Sequence, residues 1–556
     1  MRIFTSRQRR RGSRGTLITL ATAAFLVVLA APALGAFLNL DARVDSDSAA
    51  GISPNKDAGT LDAVGGATTA GAPNVPWTVF EKQTSAHQQV FSRAFNGTAW
   101  VTKGHGTVGG RSSSSPKFAA SLNFDQNRDG EAPAIDFAGA GRTVPWATWY
   151  EDNTSPFGHK EIFASRFDAT NDAWVFAGQG RPGAAGPTNP PSLNIRTNKD
   201  AEDPSIAGGN AAGDPTKPGP WIIWMEDGPN KDQIFVVKPI GPNTTVCPPG
   251  TKPAGGAPEG GFCWQQVGVE RSPIGNPKEP SLDVDPNRPG IEPDIAFTGP
   301  NDSVPWAVWY EIKAGKFGVD NERVFAAKGV TPPAGTQGTV DGGFAWEAVG
   351  SQTSGGQVLD TSGANHAGPC LASKPAENRC TLNKNPGANA EDPRVTAGTM
   401  TPHSATVPWV TWSENLNGVS RIFVSRLVNN GANFALANGG KPLSSGGADA
   451  SVPDISFVRH TPVVTWHQKV NGAKKLFVGH FQNAANPTFV LDTPNGIKRS
   501  TSGLTLGSKS PISSDCTANP FNQDGDACQG GAPGKAFFLF NDGANGSRKI
   551  FGERFK

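Results

Sequence analysis

Val144-Pro145-Trp146-Ala147-Thr148-Trp149-Tyr150-Glu151 returns along the chain as Val304-Pro305-Trp306-Ala307-Val308-Trp309-Tyr310-Glu311 and as Val407-Pro408-Trp409-Val410-Thr411-Trp412-Ser413-Glu414. In an extended strand, residues three apart point to opposite faces. Trp146 and Trp149 therefore need apolar cover on both sides of one sheet. A β-sandwich leaves one face of each sheet wet and favours strict apolar/polar alternation. Sheets packed face to face around a ring supply the double cover instead.

All 14 tryptophans fall into this scheme. Trp77, Trp146, Trp221, Trp306 and Trp409 open the strand, and Trp149, Trp224, Trp309, Trp412 and Trp466 follow three residues on. Trp100, Trp174, Trp264 and Trp346 sit in a later apolar run of their units. Self-similarity at such a period sets the architecture before local propensity does. In one complete copy the strands read Ala134 to Ala138, Val144 to Glu151, Glu161 to Phe167 and Ala173 to Ala177, with Gly/Asn/Asp-rich turns between them. Corresponding second strands begin at Val75, Val144, Pro220, Val304, Val407, Pro462 and Ala536.

The expectation is an all-β chain, a seven-bladed β-propeller of four-stranded antiparallel blades filling residues 37–556, with an open array of tandem β-domains as the competing architecture. The repeat units run over about 52–110, 121–180, 192–270, 281–350, 381–440, 450–494 and 505–556. The joints between units align without a gap at Ser121 to Pro133, Ser192 to Pro204, Ser281 to Pro293 and Thr381 to Pro393. The last unit ends after its third strand, Ile550 to Phe555, so an N-terminal strand at Phe37 to Asp41 is expected to complete it.

Residues 1–36 have the pattern of an export signal. Arg2, Arg7, Arg9, Arg10, Arg11 and Arg14 precede an apolar stretch from Leu17 to Ala31, and Ala33-Leu34-Gly35-Ala36 gives small residues for cleavage. The apolar run is short for a membrane anchor, and no transmembrane segment is expected after its removal. Loss of residues 1–35 carries the formal net charge from +2 to −4, which leaves no electrostatic footprint for nucleic acid. The expected location is outside the cell or on its surface, as a monomer. The six cysteines of an exported chain read as disulfides. Cys247 with Cys263, Cys370 with Cys380, and Cys516 with Cys528 each bracket one Pro/Gly-rich insertion, and each small ring is worth roughly 3 kcal/mol in the chain-entropy estimate.

Thr339-Val340-Asp341-Gly342-Gly343-Phe344-Ala345-Trp346 is similar to the Asp box of sialidase-type propellers, Ser-x-Asp-x-Gly-x-x-Trp, in the turn before the fourth strand. Looser copies stand at Glu259, Gly261 and Trp264, at Gly97 and Trp100, and at Asn429, Gly431 and Phe434. The resemblance implies glycosidic cleavage by a tyrosine assisted by a glutamate, with three arginines gripping a carboxylated sugar. The chain has two tyrosines, Tyr150 and Tyr310, in one repeat column where other copies place Met225, Ser413 and His467. A nucleophile must be singular, so this duplicated column reads as structural.

The loops between second and third strands share a face with the joints, and ligands of propellers bind there. His87, Phe157, His159, Phe317 and His467 are the binding candidates on that face, the histidines departing from the repeat. Asp125, Asn127 and Asp129, ahead of Gly130 and with Asp136 at the twelfth place, match the oxygen-ligand spacing of a calcium loop; the competing reading is an Asx-rich turn that satisfies its own backbone. Glu151, Glu226, Glu311, Glu414 and Asp542 recur at the end of the second strand, with Gln468 in the sixth copy. Antiparallel pairing puts the ends of consecutive strands at opposite edges, so this column is expected to hold loop backbone or a neighbouring blade.

The functional expectation is a binding or interaction module whose partner is a glycan or a surface protein. Two classes compete with it: a glycan-acting hydrolase or lyase built from His87, His159, His467, Asp125, Asp129, Glu131 and Glu202, and a structural envelope protein.

Overall fold

The computed structural model describes residues 37–39, 43–50, 52–70, 72, 74–104, 120–152, 158–177, 192–196, 198–209, 219–228, 231–240, 263–269, 281–284, 288–299, 302–313, 321–330, 340–341, 345–351, 357–359, 380–402, 404–428, 431, 433–497, 512–514, 536–544 and 546–555. The export signal, Phe157 and Phe317 lie outside them. So do Cys247, Cys370, Cys516 and Cys528, which puts the expected pairings outside the described residues as well.

The strands build antiparallel sheets in which, apart from the closing one, sequence order equals spatial order. The first sheet joins Ala58–Gly66, Val75–Gln83, Gln88–Phe95 and Trp100–Lys103. The second joins Asp129–Ala138, Val144–Asp152, Lys160–Asp168 and Ala173–Phe176. The third, fifth and sixth repeat this arrangement with inner strands Ala201–Gly209, Ala390–Gly398 and Ala450–Val458. The closing sheet runs Ile512–Ser514, Ala536–Asp542, Lys549–Phe555 and then Phe37–Asn39, whose residues pair with Phe555, Arg554 and Glu553. An N-terminal strand thus completes the last sheet.

One expectation is corrected. Six sheets among the described residues have four strands, whereas the fourth, with inner strand Gly290–Thr298, has five because Gln357–Leu359 adds to the edge of Ala345–Ala348. The inner strands also begin earlier than expected, at Asp129 rather than Ala134, because the pairing with the second strand resumes beyond a bulge.

Consecutive inner strands lie side by side, and the closing sheet's inner strand meets that of the first, so the ring is closed. The core is divided among the gaps between sheets. Trp149 packs with Trp77 and Val79 of the first sheet, and Trp146 with Ile206 and Trp264 of the third. The two tryptophans of one strand thus cover opposite faces. The opening tryptophans reach forward edge-on: Trp77 to Phe137 at 5.8 Å, Trp221 to Phe297 at 5.4 Å and Trp409 to Phe457 at 5.8 Å. Such T-shaped contacts place a ring's positive edge on its neighbour's negative face.

The second-strand glutamates fasten the joints. Glu151 accepts the backbone N–H groups of Phe124 and Asp125, Glu226 those of Ile195 and Arg196, and Glu414 those of Lys384 and Asn385. Each also accepts the indole N–H two residues earlier, from Trp149, Trp224 and Trp412. A second acid column fastens the third strands. Asp57, Asp129, Asp200 and Asp449 accept the N–H of Arg548, Gln88, Lys160 and Ser420. Both columns act at the joint side of the ring and hold the rim of the central channel in place.

Candidate functional site

At that rim five of the inner strands carry a bulge whose residues share one conformation. Ala132, Asp203, Glu292, Asp392 and Val452 have φ between 46° and 54°, each immediately before a proline. In every one of these strands the pairing skips the same two positions, between Glu131 and Ala134, Glu202 and Ser205, Ile291 and Asp294, Glu391 and Arg394, and Ser451 and Asp454. A left-handed backbone costs a non-glycine residue roughly 1–2 kcal/mol, and the residue before proline is pushed towards extended geometry. Strain repeated at one level around the channel is a feature of the rim, and bulges of this kind re-aim side chains.

The side chains they present are mostly carboxyls. Glu292 and Asp392, from neighbouring sheets, face each other, and burial together with Asp392 drives Glu292 well above the ordinary carboxyl range. Asp203 is pushed up to about 6 by burial and then by Glu202. Glu391 is pushed up to about 7 by burial and then by Asp392 and Glu322. Burial likewise carries Glu81 to about 7, although Ala132 N–H donates to it at 2.7 Å.

Three cations stand among these acids. Lys160 pairs with Glu202 at 2.9 Å and lies 5.4 Å from the centre of the Tyr150 ring. Arg394 faces Glu292, Asp294, Asp392 and Asp454, which outweigh the cost of its burial and raise it further. Lys474 is lowered by burial despite Asp392 and Asp449 nearby. Tyr150 donates to Glu131 at 2.5 Å, and burial with that carboxylate raises its phenol, so it stays protonated.

The histidines do not converge on the rim. His87 and His159 occupy equivalent places just before the third strands of the first and second sheets, each 3.3 Å from the capping aspartate, Asp129 or Asp200. They repeat the pattern rather than depart from it. His467 is fully buried in the column of Tyr150 and Tyr310.

The calcium spacing is not assembled. Asp125 accepts the backbone and side-chain N–H groups of Asn127 at 2.9 and 3.0 Å, an Asx turn, with Arg128 at 3.6 Å. Asp136 lies about 20 Å further along the strand by residue count, paired with Arg142 at 3.0 Å and accepting from Gly208 N–H. Among the described residues no group of three or more metal-binding side chains comes together, and no helix is long and apolar enough to cross a membrane.

Of the acids weighed beforehand, Glu131 and Glu202 stand at the rim. Asp203, Glu292, Glu391 and Asp392 belong there too, and their trace in the sequence was the acid ahead of the joint prolines Pro204, Pro293 and Pro393.

No family model matches the chain, and no curated protein does either. Among solved structures it is similar to an ulvan lyase of a polysaccharide lyase family bound to a GlcA-Rha3S unit, with TM-score 0.44 and 10% identity over 89% of this chain and 93% of that one. It is also similar to an alpha-L-arabinanase of Penicillium chrysogenum complexed with arabinobiose, with TM-score 0.36 and 9% identity over 76% and 92%. The sialidase of Trypanosoma rangeli with the inhibitor DANA gives TM-score 0.33 and 9% identity over 83% of this chain and 56% of its own. At such identities none of them carries a site residue over.

Proposed function

We propose that this protein is a glycan-cleaving propeller that works at the acid-lined rim of its channel, with Glu202 as the base and Asp203 as the proton donor. The observation that carries this reading is the pairing of opposed environments on one bulge. Glu202 is bound to Lys160 at 2.9 Å, while burial and Glu202 itself hold Asp203 at about 6. Two carboxyls whose surroundings separate their protonation are the working parts of glycosidic cleavage, one giving a proton to the leaving oxygen while the other activates water or attacks. The phenol of Tyr150, kept protonated and giving its one proton to Glu131, is a hydrogen-bond acceptor for the substrate rather than a nucleophile.

Export supports the same reading, since large polysaccharides are met outside the cell, and we propose a secreted or surface-held protein on the strength of the Arg-rich and apolar leader. A binding module without catalysis is the second reading, and the repeated tyrosine column favours it. The test is release of reducing ends from a panel of neutral, amino and uronic polysaccharides. Activity on at least one of them is expected, reduced by about a hundredfold or more in Glu202→Gln and Asp203→Asn. Binding without release points to the module, and release that survives both substitutions overturns the assignment.

A further inference from the structure

Two sheets carry the same tyrosine, and their surroundings differ in charge. In the second sheet Tyr150 has the Lys160 ammonium over its ring at 5.4 Å, and that ammonium pairs with Glu202 of the next sheet. In the fourth sheet Tyr310 occupies the Tyr150 place, Glu391 of the next sheet the Glu202 place, and Glu322 the place of Lys160. The registers leave no freedom in this correspondence, because Lys160 faces Asp152 and Glu322 faces Ile312, each two residues past its tyrosine.

The cage that holds a lysine in one sheet is therefore built with an acid in the lysine's place in another. Burial with Glu292, Asp392, Glu322 and Glu391, all within electrostatic reach, raises the Tyr310 phenol. Glu292 reaches into this group with an Oε2 that is buried and has no hydrogen-bond partner among the described residues. Among the described residues Arg394 and, at Asp392, Lys474 are set against these acids, and Arg394 is engaged with Asp294 and Asp454 as well.

We infer that the Tyr310–Glu322–Glu391 cage is a subsite for a primary ammonium group, with Glu292 and Asp392 as its floor, and that the glycan taken at the rim carries free amino sugars. The ammonium lies over the Tyr310 ring as Lys160 lies over Tyr150, and its protons go to Glu391 and Glu322. A desolvated cation over an aromatic face is attracted by the ring quadrupole, and charge-assisted hydrogen bonds supply direction. An N-acetylated sugar offers no charge and one N–H in place of the ammonium's three, and a uronic acid meets four carboxyls. This inference names the substrate class and so rests on the rim being a glycan site.

The experiment is calorimetric titration of the full protein, at a pH where the amine is charged, with a glucosamine hexamer, its N-acetylated form, a uronic acid hexamer and a lysine hexapeptide. The glucosamine hexamer is expected to bind, at least about tenfold more tightly than the other three. Glu322→Lys, which gives this cage the lysine its counterpart already has, is expected to abolish binding with no loss of melting temperature, and Glu391→Gln to weaken it by about tenfold.

Equal binding of the acetylated hexamer, absence of binding, or binding unchanged by Glu322→Lys overturns the cage. Preference for the lysine peptide overturns the glycan as its occupant. Titration and release of reducing ends are read separately. Binding without cleavage leaves the cage standing and removes the catalytic reading. Cleavage without amine preference does the reverse.

Discussion

Trp149 and Glu151 lie on one strand two residues apart, and the indole N–H of the first donates to the carboxylate of the second at 2.9 Å. The same carboxylate accepts the Phe124 and Asp125 N–H groups, so one side chain ties an inter-sheet tryptophan to the loop between sheets. The sixth sheet tests the logic within the molecule. There Gln468 accepts from Trp466 with its oxygen and donates to the Ser445 and Ala448 carbonyls with its amide. Where the loop presents N–H groups the position is an acid, and where it presents carbonyls it is an amide.

Glu151→Gln should accordingly leave one loop N–H facing an amide NH2, and Gln468→Glu should set a carboxylate against two carbonyls. Each is expected to lower unfolding stability by about 1–3 kcal/mol, the cost of a buried polar group left unmatched. Denaturant titration of the two variants checks this, and neutrality of either would refute the matching argument.

The acid column was legible before the structure because a repeat exposes it five times over, and because strand geometry forbids a bridge across its own hairpin. The tryptophan faces were legible for the same reason, since three residues along a strand always reverse the side. The rim was not. Its carboxyls depend on a bulge, where two residues oppose one, and the left-handed turn at Asp203 or Asp392 that re-aims them leaves no mark in composition. His87 and His159 misled for the opposite reason: an apparent departure from the repeat was a repeat in two sheets, each histidine standing beside its capping aspartate.

Stability should depend on pH through Glu81, which burial raises from its ordinary 4.5 to about 7. Between these values the folded protein keeps a proton that the unfolded chain has released. Stability linked to this group is therefore full below about pH 4.5, falls by up to about 1.4 kcal/mol per pH unit, and is flat above about 7. Glu81→Gln keeps an oxygen for Ala132 N–H and removes the titration. The difference between parent and variant, measured by denaturation from pH 4 to 8, should follow this fall; a difference independent of pH would refute it.

Lys82 replaces the joint-holding acid in the first sheet, and its ammonium meets Asp45 and the Lys56 carbonyl with both side chains fully buried. Arg43 holds the same aspartate at 3.1 Å, and Arg93 donates to the Val44 and Ser46 carbonyls, so the segment before the first sheet is tied by charge. Lys82→Met should cost about 3–5 kcal/mol, because Asp45 stays buried with one cation fewer. Lys82→Met with Asp45→Asn should recover part of that loss. A double variant no better than the single would show that the pair is not coupled.

Gly66, Gly209 and Gly398 end three inner strands, and a Cβ at each would stand 2.2, 2.4 and 2.3 Å from Phe137, Phe297 and Phe457 of the next sheet. These are the rings on which Trp77, Trp221 and Trp409 rest edge-on, so the glycine lets a phenylalanine slide beneath its neighbour's tryptophan. Gly209→Ala should force Phe297 aside and lose part of the Trp221 contact, costing about 1–3 kcal/mol as overpacking does. With Phe297→Leu the two losses should fall short of additive, because the smaller side chain already gives the methyl room. Denaturant midpoints of the single and double variants measure this. Strict additivity would mean that Gly209 and Phe297 do not share the space that closes one sheet onto the next.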